Sequence, residues 1–368
     1  MPRLGRWMDG QDRLALMRRA VGAQIAAVLL IAALVVCGAG EFGARHGEIV
    51  IALFSVLAAI ASIGAALTHT AVSADWIPSL FHSEARVRVN GRMKQIDLAC
   101  EIVAPLLAGL ILGIDLFEIH SFGFLTVALL NVFSFFFEYR VVRGLYADAK
   151  NALVKTNRAD SPSESFQSRW KKFFAQAAAP TMLGYALLWL TVMTPHGAVL
   201  TSFLSSTWHL DETTLGFFRG GGALCGLIAA LAVPRLLRVI EIRFLGFLFV
   251  AFEAICVLLS TFAMQFGSTA YLSMLLLICL SRFGLYGYSI CEIQLRQNLV
   301  PEHLRGEMTG ALTSIANLCA LIIMVASIYF SANNDFVILG WISTFGIVAA
   351  TLLVGWSWRR TQLRRVAT

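Results

Sequence analysis

The sequence predicts an all-α, polytopic membrane protein with ten transmembrane helices, on three observations. Hydrophobic residues fill 58% of the 368 positions and charged residues only 14%, with a mean hydropathy of +0.74, a balance that soluble domains of this size do not show. The apolar residues are gathered into ten long runs separated by polar connections. Nearly every basic residue sits on alternate connections, the asymmetry that a bilayer imposes.

The runs fall at 17–39, 48–72, 94–114, 119–141, 180–205, 213–237, 243–265, 269–295, 307–330 and 335–357. Each is long enough to cross roughly 30 Å of hydrocarbon at about 1.5 Å per residue. The first follows a basic segment with Arg3, Arg6, Arg13, Arg18 and Arg19. It is too long for a secretory leader and lacks a convincing cleavage site. Arg86, Arg88, Arg92 and Lys94 precede the third run, and the long connection from Arg140 to Lys172 precedes the fifth. Arg235, Arg238 and Arg243 precede the seventh, Arg296 and Arg305 the ninth, and Arg359, Arg360, Arg364 and Arg365 follow the tenth. These connections hold 26 of the 29 basic residues. The opposite side carries Arg45 beside Glu41, Glu48, Asp115, Glu118, Asp211, Glu212 and Asp335. The positive-inside rule then puts both termini in the cytoplasm, with the chain multi-pass in the cell membrane. The net charge of +7 is this asymmetry and implies no nucleic-acid partner. The seven cysteines all lie in predicted spans without a CxxC pair, so they are expected as buried thiols.

One connection divides the chain. Residues 144–179 include Asp148, Lys150, Asn151, the stretch Ser161-Pro162-Ser163-Glu164-Ser165 and Trp170-Lys171-Lys172. Six spans after a long cytoplasmic loop match the second half of a major-facilitator transporter, whose halves are six-helix repeats. The expected organisation is a two-lobe helical bundle. Residues 1–143 form a truncated N-terminal lobe of four helices, 144–179 a cytoplasmic inter-lobe loop, and 180–368 a C-terminal lobe of six. Gly5-Arg6-Trp7-Met8-Asp9 followed by Arg13 has the Gly-x-x-x-Asp…Arg shape of the loop between the second and third helices of that superfamily. The first two helices of the pattern are therefore expected to be lacking.

Further motifs narrow the resemblance. Asp75-Trp76-Ile77-Pro78 leads to Asn90-Gly91-Arg92-Met93-Lys94-Gln95-Ile96-Asp97 and then Ala104-Pro105. Asn131-Val132-Phe133-Ser134-Phe135 is followed by Glu138-Tyr139. Gln294, Asn298-Leu299-Val300-Pro301-Glu302, Arg305-Gly306, Gly310 and Asn317 follow in order. Together these segments, from Gly5 to about Trp356, resemble the ferroportin family of iron exporters.

That resemblance implies a metal site on Asn131, Ser134 and Phe135, which share one helix face; their partner aspartate, on the family's first helix, is expected to be lacking with that helix. The residues alone read better as an interhelical hydrogen-bond pair, worth about 0.6 kcal/mol on average in membranes, and the resemblance brings the metal reading level with it. A second site is implied on a broken helix, here Thr194-Pro195-His196-Gly197. Pro195 cannot donate a backbone hydrogen bond, so the helix should open. His196 can ligate a borderline metal or serve as a packing histidine. The family's cysteine falls near Gly197 and its eleventh-helix histidine near Thr351, so a vertebrate-like second site is not expected. Asp75, Asn90, Lys94, Asp97 and Arg305 are implied as gating residues at cytoplasmic helix ends, with solvated interfacial charge the plainer reading. Glu101, Glu253, Glu292, Arg219 and Arg282 lie in or near spans, where a charge costs roughly 2.5–3.5 kcal/mol, and should face the bundle interior. His69 is expected to do likewise, and Glu138 to snorkel.

The function implied is export of divalent iron, and possible export of other divalent metals, by alternating access. The alternatives are an organic-solute transporter of the same superfamily and a transport-inactive fragment. No enzyme motif is present: the chain has no nucleotide loop, no HExxH and no nucleophile with a base. The expected partners are the metal-ion substrate and the lipid bilayer, with a monomeric chain and no cofactor.

Overall fold

The structure, a computed structural model, describes residues 7–8, 10–38, 41–112, 122–153, 166–210, 212–330 and 335–366. Gly5, Asp9, Asp115, Glu118 and Asp211 lie outside the described residues, as does 154–165 of the long connection. The described residues are helical throughout, joined by turns and short connections.

Eight helices among the described residues are long and apolar enough to cross a membrane. The two other predicted runs are built differently. Run 94–114 lies in α3 (Ser83–Leu112), which carries Arg86, Arg88, Arg92 and Lys94 along its first half. Run 180–205 is interrupted: α6 (Ala179–Leu187) stops and α7 starts afresh over Ala198–Thr207.

The chain forms two compact units. The smaller comprises Arg6–Phe81 and Val103–Pro162 and is built on α1 (Arg13–Gly38), α2 (Glu41–Thr70) and α4 (Phe122–Asp148). α2 kinks at His46 and continues as a wide π-helical turn over Ala71–Trp76 before Ile77–Leu80. The wide turn lies just ahead of Pro78, whose ring would crowd the carbonyl of a regular turn. It leaves Ala71, Ala74, Asp75 and Trp76 buried. Met8, Leu16, Met17, Trp76 and Leu153 pack together there.

The larger unit contains His82–Ile102, the N-terminal part of α3, together with the chain after Ser163. It comprises α5 (Phe166–Ala175), α6, α7, α8 (Glu212–Leu236), α9 (Ile242–Met264), α10 (Tyr271–Leu299), α11 (Arg305–Tyr329) and α12 (Phe336–Val366). α10 packs closely on α9 because Gly284 and Gly287 present no side chain: a Cβ at either would come within 2.5 Å of Phe249. Small residues at such a contact let membrane helices approach closely. The core runs through Val250, Val257, Ile278, Tyr288 and Ile347, and Leu98 of α3 belongs to it.

The break between α6 and α7 is wider than Pro195 alone demands. Leu188, Trp189 and Leu190 turn back onto carbonyls three residues earlier. The Val192 N–H then donates to Ser343 Oγ at 3.0 Å, and Arg282 Nη2 donates to the Met193 carbonyl at 3.1 Å. Side chains of α10 and α12 thus satisfy the freed backbone groups, the condition for irregular chain at membrane depth. Gly222 of α8 makes room for the break, since a Cβ there would lie 2.7 Å from the Pro195 ring.

The described cysteines are free thiols. Cys256, Cys291 and Cys319 are buried as expected, but Cys100 is exposed and Cys225 and Cys279 are half-buried. A position inside a span does not settle whether its side chain faces the core.

Candidate functional site

Within the smaller unit, the expected gating residue Asp75 meets Arg13. Arg13 Nη2 and Nε donate to the Asp75 carboxylate at 2.6 and 3.0 Å. Arg13 also donates to the Leu153 carbonyl at 2.7 Å and to Ser79 Oγ at 2.8 Å. Tyr146 donates its hydroxyl to Asp12 at 2.8 Å and packs its ring 6.1 Å from Trp76. This cluster ties the start of α1 to the π-helical turn of α2 and the end of α4.

The same unit holds Asn131, Ser134 and Phe135 on α4. Asn131 Nδ2 donates to Val127 O of its own helix at 2.8 Å, leaving its Oδ1 as a metal-capable acceptor. Ser134 is exposed, while Asn131 and Phe135 are half-buried.

In the larger unit, α3 presents its polar face to α8 and α10. Asn90 Nδ2 donates to Gln294 and Gln297 at 3.0 and 2.8 Å, all three side chains being buried. Arg86 donates to Asn298 at 2.8 Å and Gln95 to the Ala230 carbonyl at 3.3 Å. Arg305 donates to the carbonyls of Val300 and Gln297 at 3.3 and 3.2 Å, bracing the turn between α10 and α11. Replacing Asn90 by leucine removes the donor to two buried amide oxygens, and a lost buried hydrogen bond costs about 0.5–1.5 kcal/mol. The expected result is a clear fall in the thermal midpoint of purified protein, partly restored when Gln294 and Gln297 are also made apolar.

Farther along the same face, Lys94 lies 4.8 Å over the Tyr286 ring and 3.9 Å from Asp97. One turn on, Glu101 accepts a hydrogen bond from the Tyr286 hydroxyl at 3.2 Å. Its other oxygen lies 3.4 Å from His196 Nε2, on the break. An imidazole nitrogen and a carboxylate oxygen bind borderline divalent metal ions at about 2.0–2.2 Å. A cation about 2.1 Å from both would see them at an angle of about 110°, suited to a tetrahedral or loosely octahedral ion. No group of three or more His, Cys, Asp or Glu side chains surrounds an ion site among the described residues. Further ligands would have to be hydroxyls, carbonyls or water.

Behind the break, Arg282 bridges the Met193 carbonyl and Glu253 of α9, with Nη2 3.7 Å from the carboxylate. Glu253 is fully buried. Glu292 pairs with Arg296 at 2.9 Å, and Arg296 reaches Thr309 at 2.6 Å. Glu253, Glu292 and Arg282 are buried as expected, whereas Glu101 is half-buried and Arg219 and His69 are exposed. Arg219 donates to Thr201 at 3.2 Å.

The structure therefore joins His196 to Glu101, Asp75 to Arg13, and Asn90 to Gln294 and Gln297. Glu101, Tyr286 and Arg13 take part in these contacts without being among the expected site residues, although Arg13 belongs to the Gly-x-x-x-Asp…Arg motif and Glu101 was expected to face the bundle interior. The available signal was spacing: Lys94, Asp97 and Glu101 recur at three and four residues and so share a helix face.

The model of the family described as Ferroportin1 (FPN1) matches residues 1–347. The chain belongs to the ferroportin family. A curated ferroportin relative, "Ferreportin" of Bdellovibrio bacteriovorus, is 31% identical over 366 residues, covering 98% of this chain and 83% of the relative. A solved bacterial homologue of the iron transporter ferroportin in an outward-facing state superposes with a TM-score of 0.85 at 28% identity, covering 97% of this chain and 86% of that one. The same kind of homologue with soaked iron gives 0.84 at 29% identity, covering 97% and 85%. The proton:xylose symporter XylE, at 13% identity and a TM-score of 0.69 over 95% of this chain and 81% of its own, shares the fold alone. This ferroportin-family chain is thus a multi-pass membrane protein of the major-facilitator type, in a family of iron transporters.

Proposed function

We infer that the chain exports Fe²⁺, with Co²⁺ and Mn²⁺ as further substrates, by alternating access across the cell membrane, both termini lying in the cytoplasm. The observation that carries this reading is the His196–Glu101 pair, 3.4 Å apart on a helix break. Nitrogen and carboxylate donors suit a borderline divalent ion better than a hard one. The break lets His196 rise from irregular backbone, so a small change in that backbone can present or withdraw a ligand. Asn131, Ser134 and Phe135 on α4 supply the other half-site, where the Asn131 amide oxygen, the Ser134 hydroxyl and the Phe135 carbonyl are the candidate donors. Asp75, Asn90, Lys94, Asp97 and Arg305 act in gating. The iron soaked into a solved homologue supports iron as the substrate class.

Flux into liposomes loaded with a metal-quenched fluorophore tests this. Purified chain should move Fe²⁺, Co²⁺ or Mn²⁺ well above protein-free vesicles. Flux equal to that of empty vesicles for all three ions would sink the proposal.

A further inference from the structure

Away from these residues, a cavity of about 480 Å³ opens in the larger unit where α5, α6, α9 and α12 meet. Its lining is of two kinds. Phe174, Leu183, Leu353 and Trp356 are apolar or aromatic. Arg243, Ser357 and Arg360 are polar, two of them cationic. Arg243 Nη1 donates to Ser357 Oγ at 3.1 Å, and the Arg360 guanidinium stacks 5.2 Å from the Trp356 ring. Both guanidinium groups are thereby held against α12, where its apolar run gives way to Arg359 and Arg360.

The surroundings match a membrane interface. Phe174 and Trp356 are 59% and 50% exposed, as rings at the headgroup level are. α5 is short and amphipathic, burying Phe173 while exposing Lys171, the form of a helix that lies along a membrane surface. A free anion would have no use for the apolar lining, and a neutral lipid none for two guanidinium groups. Arginine forks hold phosphate oxygens with directed hydrogen bonds.

We propose that this cavity binds an anionic phospholipid, its phosphate on Arg243 and Arg360 and its glycerol and upper acyl carbons along Phe174, Leu183 and Trp356. Each arginine near an anionic headgroup contributes roughly a fivefold gain in affinity.

The test is native mass spectrometry of the purified chain in detergent with added phosphatidylglycerol or phosphatidylcholine. Retention of phosphatidylglycerol should exceed that of phosphatidylcholine by at least about tenfold. R360Q should cut it about fivefold and R243Q/R360Q more, while R243K/R360K retains most of it and R359Q, outside the cavity, leaves it unchanged. Comparing R360Q alone keeps the result readable if the Arg243–Ser357 contact proves needed for folding. Equal retention of both lipids overturns the proposal, as does phosphatidylglycerol retention indifferent to R360Q. Full displacement by millimolar inorganic phosphate also overturns it, because the occupant would then be the free anion.

Discussion

Replacing Asp75 by alanine will destabilise the protein by about 3–5 kcal/mol. Arg13 is 1% exposed and Asp75 4% exposed, so the variant takes from a buried guanidinium the carboxylate that accepts two of its hydrogen bonds. The Leu153 carbonyl and Ser79 hydroxyl still accept from Arg13, but neither replaces the two hydrogen bonds to the carboxylate. Asp97→Ala is the contrasting control. Its carboxylate is 46% exposed and 3.9 Å from Lys94, and exposed pairs of that kind are worth only about 0–1 kcal/mol. Thermal unfolding in detergent should separate the two variants by many degrees. Pairing Arg13→Met with Asp75→Leu should recover most of the loss, since apolar replacement of a whole buried pair is often close to neutral. An Asp75→Ala midpoint within the range of Asp97→Ala would show that the ion pair does not hold this corner together.

His196→Ala will weaken Co²⁺ binding by more than about 100-fold. Losing only an outer partner of a metal ligand costs roughly 10–100-fold, and His196 is proposed as the ligand itself. Glu101→Gln keeps the shape and one acceptor oxygen but removes the charge, so a loss of about tenfold or more is expected by calorimetric titration. The two side chains are 38% and 36% exposed, so neither change should move the unfolding midpoint much. That separates binding from folding. If both variants bind Co²⁺ within threefold of the unchanged protein, the pair is not a metal site and His196 is a packing histidine. Flux in liposomes should fall in parallel with affinity.

The site was partly legible in the sequence, for reasons that differ residue by residue. Pro195 and Gly197 announce a helix break because a missing N–H and a missing side chain are local properties. How far the break extends was not legible. Its retreat to Leu188 depends on Ser343 and Arg282, which reach the freed backbone groups from α12 and α10. Glu101 stood out as a costly charge in an apolar run, yet nothing local paired it with His196. Asp75 and Asn90 carried one expected role but have partners of different kinds: a buried arginine for the first and two buried amides for the second.

Sequence by itself determined the all-helical membrane class, the position of the long apolar runs and the place where one of them opens. Those follow from composition, run length and backbone chemistry, which need no knowledge of neighbours. Tertiary structure alone decided which charges meet, which cysteines face the core, and that the first part of α3 packs with α8 and α10 in the larger unit. The physical reason is that hydrophobic burial is nearly indifferent to partner. A hydrogen bond or ion pair is not, because it exists only where packing brings two particular atoms within about 3 Å.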